Sequence, residues 1–111
     1  MEPKVLIVIS STDREKIWTG LLYAQAAIAS DWMNSAKVFL WGPSEEVVAR
    51  NVEFQESVKE IINLGEKVYA CKACSDKYSV SDKLSELGCD VEYVGSISSK
   101  FIKEGYVVFN W

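Results

Sequence analysis

Apolar positions along the chain follow two patterns. Lys4-Val-Leu-Ile-Val-Ile-Ser10 is a continuous β-branched run, which predicts a strand buried on both faces, as in the centre of a parallel sheet. Ile17, Leu21, Ala24, Ile28 and Trp32 then recur at helical spacing and predict a helix near residues 13–33, opened by a Thr12–Glu15 capping box. Lys37-Val-Phe-Leu-Trp41 predicts a second strand, ended by Gly42-Pro43, with Ser44 placed to open a short helix through Arg50. Phe54, Val58, Ile61 and Ile62 mark a further helix that stops at Gly65, and Lys67-Val-Tyr-Ala70 predicts a third strand. Ser79 precedes a helix carrying Val80, Leu84 and Leu87 and closed by Gly88. Val91-Glu-Tyr-Val94 predicts a fourth strand, whose polar neighbours Asp90 and Glu92 suit an edge position. A helix from Ser96 with Ile97, Phe101 and Ile102 ends at Gly105, and Tyr106-Val-Val-Phe109 predicts the last strand.

Gly65, Gly88 and Gly105 repeat one device: each ends a helix just before a strand begins. Strand and helix alternate through five strands, the pattern of an α/β domain with a parallel sheet and right-handed crossovers. At 111 residues the chain is sized for a single domain over residues 1–111.

Charge and composition narrow the chemistry. The net charge of −4, with no basic run, argues against nucleic acid as a direct partner. No apolar stretch approaches the ~20 residues of a membrane span, and the first run leads straight into the fold, so the chain reads as cytoplasmic. Histidine is absent, which removes the commonest general base and metal ligand. Three cysteines are present, two of them in Ala70-Cys71-Lys72-Ala73-Cys74. In a reducing compartment this spacing points to catalysis, redox or metal rather than to a disulfide framework.

Cys71 falls at the end of the third strand, where open parallel sheets gather their chemistry, and Cys74 lies in the turn or helix start beyond it. Amides at a helix start and the charges of Lys72 and Lys77 would favour a thiolate there. Four readings of the pair compete: a persulfide-carrying Cys71, a reversible Cys71–Cys74 disulfide, half of a zinc site, and inert packing. Zinc is the weakest, since only Cys89 remains as a further thiol ligand. Cys89 itself reads as a packing residue. Ser10, Ser11 and Thr12 sit at the sheet's carboxyl edge, though capping explains Thr12. Glu45 and Glu46 could pair as acid and base, but charges at a helix start explain them more simply. The four tryptophans read as core or interface residues.

The chain resembles the DsrE/DsrF-like family of small sulfur-relay proteins, which includes the Tus-type subunits of tRNA thiolation. The resemblance rests on Lys4–Ser10, Leu21-Leu-Tyr-Ala-Gln-Ala26, Val38-Phe-Leu-Trp-Gly42, Val68-Tyr-Ala-Cys-Lys-Ala-Cys74 and Ile102-Lys-Glu-Gly-Tyr-Val-Val-Phe109. It implies a three-layer α/β/α sandwich with a five-stranded parallel sheet ordered 4-3-2-1-5. It also implies that Trp41-Gly42-Pro43 and Gly95-Ser96 lie beside Cys71. Cys71 matches the family's persulfide-accepting cysteine, and Cys74 the second cysteine of some members, while Lys77-Tyr78 stands where many carry Arg-Gly. The function expected is a sulfur carrier or sulfurtransferase subunit, with Cys71 and Cys74 as its site and no tightly bound cofactor. Its partners would be sulfur donor and acceptor proteins, and its assembly a homo-oligomer, trimeric or hexameric. The alternatives are a non-catalytic binding or scaffold subunit of the same fold and a thiol–disulfide redox protein.

Overall fold

The computed structural model describes residues 2–111. Its strands are β1 (Lys4–Ile9), β2 (Ser35–Leu40), β3 (Val68–Cys71), β4 (Asp90–Glu92) and β5 (Val107–Asn110). Between them run α1 (Arg14–Ala29), α2 (Ser44–Ala49), α3 (Val52–Asn63), α4 (Lys72–Lys77), α5 (Ser81–Leu87) and α6 (Val94–Lys103). All strand pairs are parallel, in the order β4-β3-β2-β1-β5, so the edge position expected of the fourth strand is observed.

Side-chain alternation along the strands builds two cores. Val5, Ile7 and Ile9 of β1, Val38 and Leu40 of β2, and Val68 and Ala70 of β3 face Ile17, Leu21 and Ala24 of α1, Val48 of α2, Val58 and Ile61 of α3 and Leu84 of α5. The opposite face carries Leu6, Phe39 and Cys71, packed with Tyr69 and with Val94, Ile97 and Phe101 of α6. Helices thus cover both faces unevenly, and Cys71 belongs to the face under α6.

The first helix differs from its sequence expectation at both ends. Asp13, not Thr12, is the N-cap: its Oδ1 accepts hydrogen bonds from Glu15 N at 2.9 Å and Lys16 N at 3.2 Å. A carboxylate accepts two amides where a hydroxyl usually accepts one, and its charge suits the helix N-terminus. At the other end Asp31 takes a left-handed conformation (φ 52°), and Trp32 N donates back to Ala27 O at 3.0 Å. This is a helix-ending turn of the kind glycine usually makes. It stops α1 before Trp32, which is exposed rather than part of the buried face.

Candidate functional site

The carboxyl edge of β2 and β3 is assembled by the two connections that leave it. After β2, Gly42 adopts φ 71° and α2 starts at Ser44, whose hydroxyl donates to Ile9 O at 2.6 Å. That buried bond ties the start of α2 to the end of β1. After β3 the chain enters α4 directly, with Cys71 in the N-cap position (φ −65°, ψ 118°) and Cys74 in the first turn. A turn held by Ser75 and Ser81, whose hydroxyls stand 2.8 Å apart, and by a Ser81–Asp76 hydrogen bond fixes α4 against α5.

Cys71 is buried, at 7 % exposure, among Leu6, Phe39 and Val94, with Trp41 and Cys74 packed on the same cluster. Trp41 therefore lies in the cluster where it was expected. Cys74 is half-buried and is the more accessible of the two thiols. The Cys71 sulfur accepts no hydrogen bond from the α4 amides. The lysines expected to support a thiolate are engaged elsewhere. Lys72 Nζ pairs with Asp76 Oδ2 at 2.9 Å and stands 5.8 Å from the centre of the Tyr93 ring, while Lys77 lies over Tyr78.

Glu45 is the residue that sequence reasoning undervalued. It is fully buried, and neither carboxyl oxygen reaches a hydrogen-bond partner among the described residues. Burial pushes this carboxyl up to about 8; the Cys71 backbone N–H and the Cys74 thiol face it and pull the other way, without reaching full hydrogen-bond geometry. Glu46, by contrast, is a surface residue paired with Arg50 at 3.4 Å, so the two glutamates do not form an acid–base pair. A helical signal for Glu45 was present: it shares one face with Val48 and Ala49, at positions i, i+3 and i+4, and all three are buried.

The two thiols of the pair are neighbours. Burial, then the adjacent Cys71 thiol, pushes the Cys74 thiol up to about 11, opposed by the Gly42 backbone N–H and reinforced by the negative charge of Glu45. Cys89 lies in the other core, where burial pushes its thiol up to about 12, as suits a packing residue. Ser10 and Ser11 use their amides on the Trp111 carbonyl, and the Ser11 hydroxyl accepts from Asp13 N at 2.9 Å. A hollow between α6 and strands β3 and β4, lined by Lys67, Asp90, Glu92 and Lys100 among others, includes neither thiol of the pair.

Fold and site together describe a parallel α/β protein with a thiol pair and a buried acid at the carboxyl edge of its sheet. The chain belongs to the DsrE/DsrF-like family, whose model matches residues 3–111. Among solved structures it is similar to the conserved protein of unknown function BT1422 from Bacteroides thetaiotaomicron, at a TM-score of 0.85 and 24 % identity over 97 % of this chain and 95 % of that one. It is also similar to the ychN protein from E. coli, at a TM-score of 0.72 and 14 % identity over 97 % and 99 % of the two chains. At these identities the likeness concerns the fold. No curated protein matches the sequence.

Proposed function

We propose that the chain is a cytoplasmic sulfur carrier, in which Cys71 accepts sulfane sulfur as a persulfide and passes it to a partner protein. The observation that carries this reading is the pairing of Cys71 with Cys74 at the end of β3, in a chain of a family of sulfur-relay proteins. Burial and the adjacent thiol push Cys74 up to about 11, so it stays a thiol at neutral pH and is disfavoured as the sulfur that attacks first. Cys71 as thiolate would attack the outer sulfur of a persulfidated donor. A new S–S bond forms, and the donor's own sulfur leaves as a thiolate with the electron pair of the broken bond. The reaction requires no tightly bound cofactor. A homo-oligomer, trimeric or hexameric, is the assembly this reading favours.

Intact mass after incubating the reduced protein with polysulfide or a persulfidated donor tests the proposal. One added sulfur is expected on the native protein and on Cys74→Ser, and none at that site on Cys71→Ser. An adduct that survives Cys71→Ser, or never forms on Cys74→Ser, overturns it. The adjacency of the thiols also supports a thiol–disulfide reading. A Cys71–Cys74 disulfide that forms with oxidised glutathione, together with no sulfur uptake even on Cys74→Ser, would select it.

A further inference from the structure

A fully buried carboxyl without a cation or hydrogen-bond partner is costly, and the same place on α2 could be filled by an apolar side chain. Among the described residues nothing around Glu45 neutralises it. Cys71 comes from β3, Cys74 from α4, and Cys89 lies just ahead of β4. Gln55 of α3 commits its amide to the carbonyls of Val48 and Ala49, and α5 turns Leu84 inward while Asp82, Lys83 and Glu86 face solvent. Of the two lysines of α4, Lys72 is paired with Asp76 and Lys77 lies over Tyr78. The carboxyl therefore faces thiols, in a chain that has no histidine to move their protons.

We propose that Glu45 is the proton acceptor for the Cys74 thiol, and that this makes Cys74 the group that discharges a persulfide held on Cys71. The substrate in this inference rests on the sulfur-carrier reading; the proton transfer rests on the buried cluster. With sulfur loaded, Cys71 Sγ carries an outer –SH. The Cys74 proton passes to the Glu45 carboxylate as Cys74 Sγ attacks Cys71 Sγ. The Sγ–Sγ bond forms, the bond to the outer sulfur breaks, and that sulfur leaves with the electron pair as hydrosulfide. Two thiol-level sulfurs are oxidised to a disulfide and the sulfane sulfur is reduced to sulfide, so no outside oxidant or reductant enters. A carboxyl whose proton affinity lies near neutrality is matched to this task.

The test loads the full-length protein with polysulfide and follows hydrosulfide release, together with the mass of the Cys71–Cys74 disulfide, against pH. Discharge is timed from equal loading, checked by intact mass, and is expected to be about a hundredfold slower in Glu45→Gln near pH 7.5. Its rate should keep climbing with pH beyond the point, about 8, where the native rate levels off. Cys74→Ser should load and release no hydrosulfide by this route. A purely electrostatic role predicts the opposite sign, because removing a negative charge favours the Cys74 thiolate and speeds the attack. Unchanged or faster discharge in Glu45→Gln therefore overturns the proposal. Glu45→Asp, which withdraws the carboxyl from the thiol but keeps it, gives an intermediate rate and serves if the Gln variant misfolds.

If Cys74→Ser takes up no sulfur, the carrier reading fails and the role of Glu45 is judged separately. A mixed disulfide is placed on Cys71 with oxidised glutathione, and its closure by Cys74 is timed. Slower closure in Glu45→Gln supports the proton transfer, and equal closure overturns it.

Discussion

In the native chain Glu45 keeps its proton up to about pH 8, because burial disfavours its charge. In the unfolded chain the same carboxyl ionises near about pH 4.3. Between these values the native state binds a proton that the unfolded state does not, so stability falls as pH rises through the window. Below the window Glu45 contributes no penalty, and above about 8 the whole penalty is present. One such group gives at most about 1.4 kcal/mol per pH unit. Urea melts of native protein and Glu45→Gln over a pH series should therefore diverge: similar stabilities near pH 4, and a more stable variant at pH 8 and above. Parallel curves would show that the carboxyl is not held neutral. The residue escaped sequence reasoning because an acid in the first turn of a helix is adequately explained by the helix dipole. The place of Cys71 at the end of β3 was legible, because strand end and C-x-x-C spacing coincide there. The direction taken by Lys72 was not, since an i,i+4 partner such as Asp76 competes with the site for the same ammonium.

The seating of α1 on the sheet turns on Gly20, which has negative φ and needs no glycine for its backbone. A Cβ there would stand 2.9 Å from Trp111 Cγ and 3.1 Å from Ile9 Cγ1. Helix propensity alone would make Gly20→Ala stabilising by up to about 1 kcal/mol. Packing opposes this. Ile9 is fully buried in β1, and Trp111 is held by Trp111 N to Val8 O at 2.8 Å and Ser10 N to Trp111 O at 2.9 Å. Overpacking costs typically about 1–3 kcal/mol and should win, leaving Gly20→Ala less stable by about 1 kcal/mol in urea unfolding. A more stable variant would mean that Trp111 gives way freely. The neighbouring helix end shows why element boundaries were only partly legible. Gly65, Gly88 and Gly105 end helices in left-handed turns, as their positions suggested, but at α1 the turn is made by Asp31. Aspartate adopts this conformation far less often than glycine, so the chain gave no clear stop, and Trp32 was assigned to a helix that ends before it.

At the scale of the whole molecule, alternation and the family resemblance made the sheet legible, while the uneven cover of its edge follows only from the packed structure. β5 is an edge strand in which every residue is exposed, including Val107 at 68 %, Val108 at 45 % and Phe109 at 40 %. Its register with β1 sends Val107 and Phe109 to the side of Val5 and Ile7, where α1 lies, and Val108 to the side of Leu6, under which α6 packs. Phe109 stacks edge-on with Tyr23 at 5.0 Å, and Trp32 lies 6.0 Å from Tyr23, so the apolar strip continues from the strand onto α1. An apolar edge strand with unpaired backbone groups is a hazard that proteins cover or charge, and no acid or base blunts Val107–Asn110. The expected outcome is self-association through this edge. Light scattering over a concentration series should give a homo-oligomer for the native chain. Val107→Asp and Val108→Asp each place a charge on one face of β5 at an already exposed site, so the fold should survive and the assembly should weaken. A larger effect from Val107→Asp would put the contact on the α1 side, and one from Val108→Asp on the α6 side, nearer the thiol pair. A native chain that stays monomeric at high concentration, or an assembly indifferent to both substitutions, would rule out this edge as the interface.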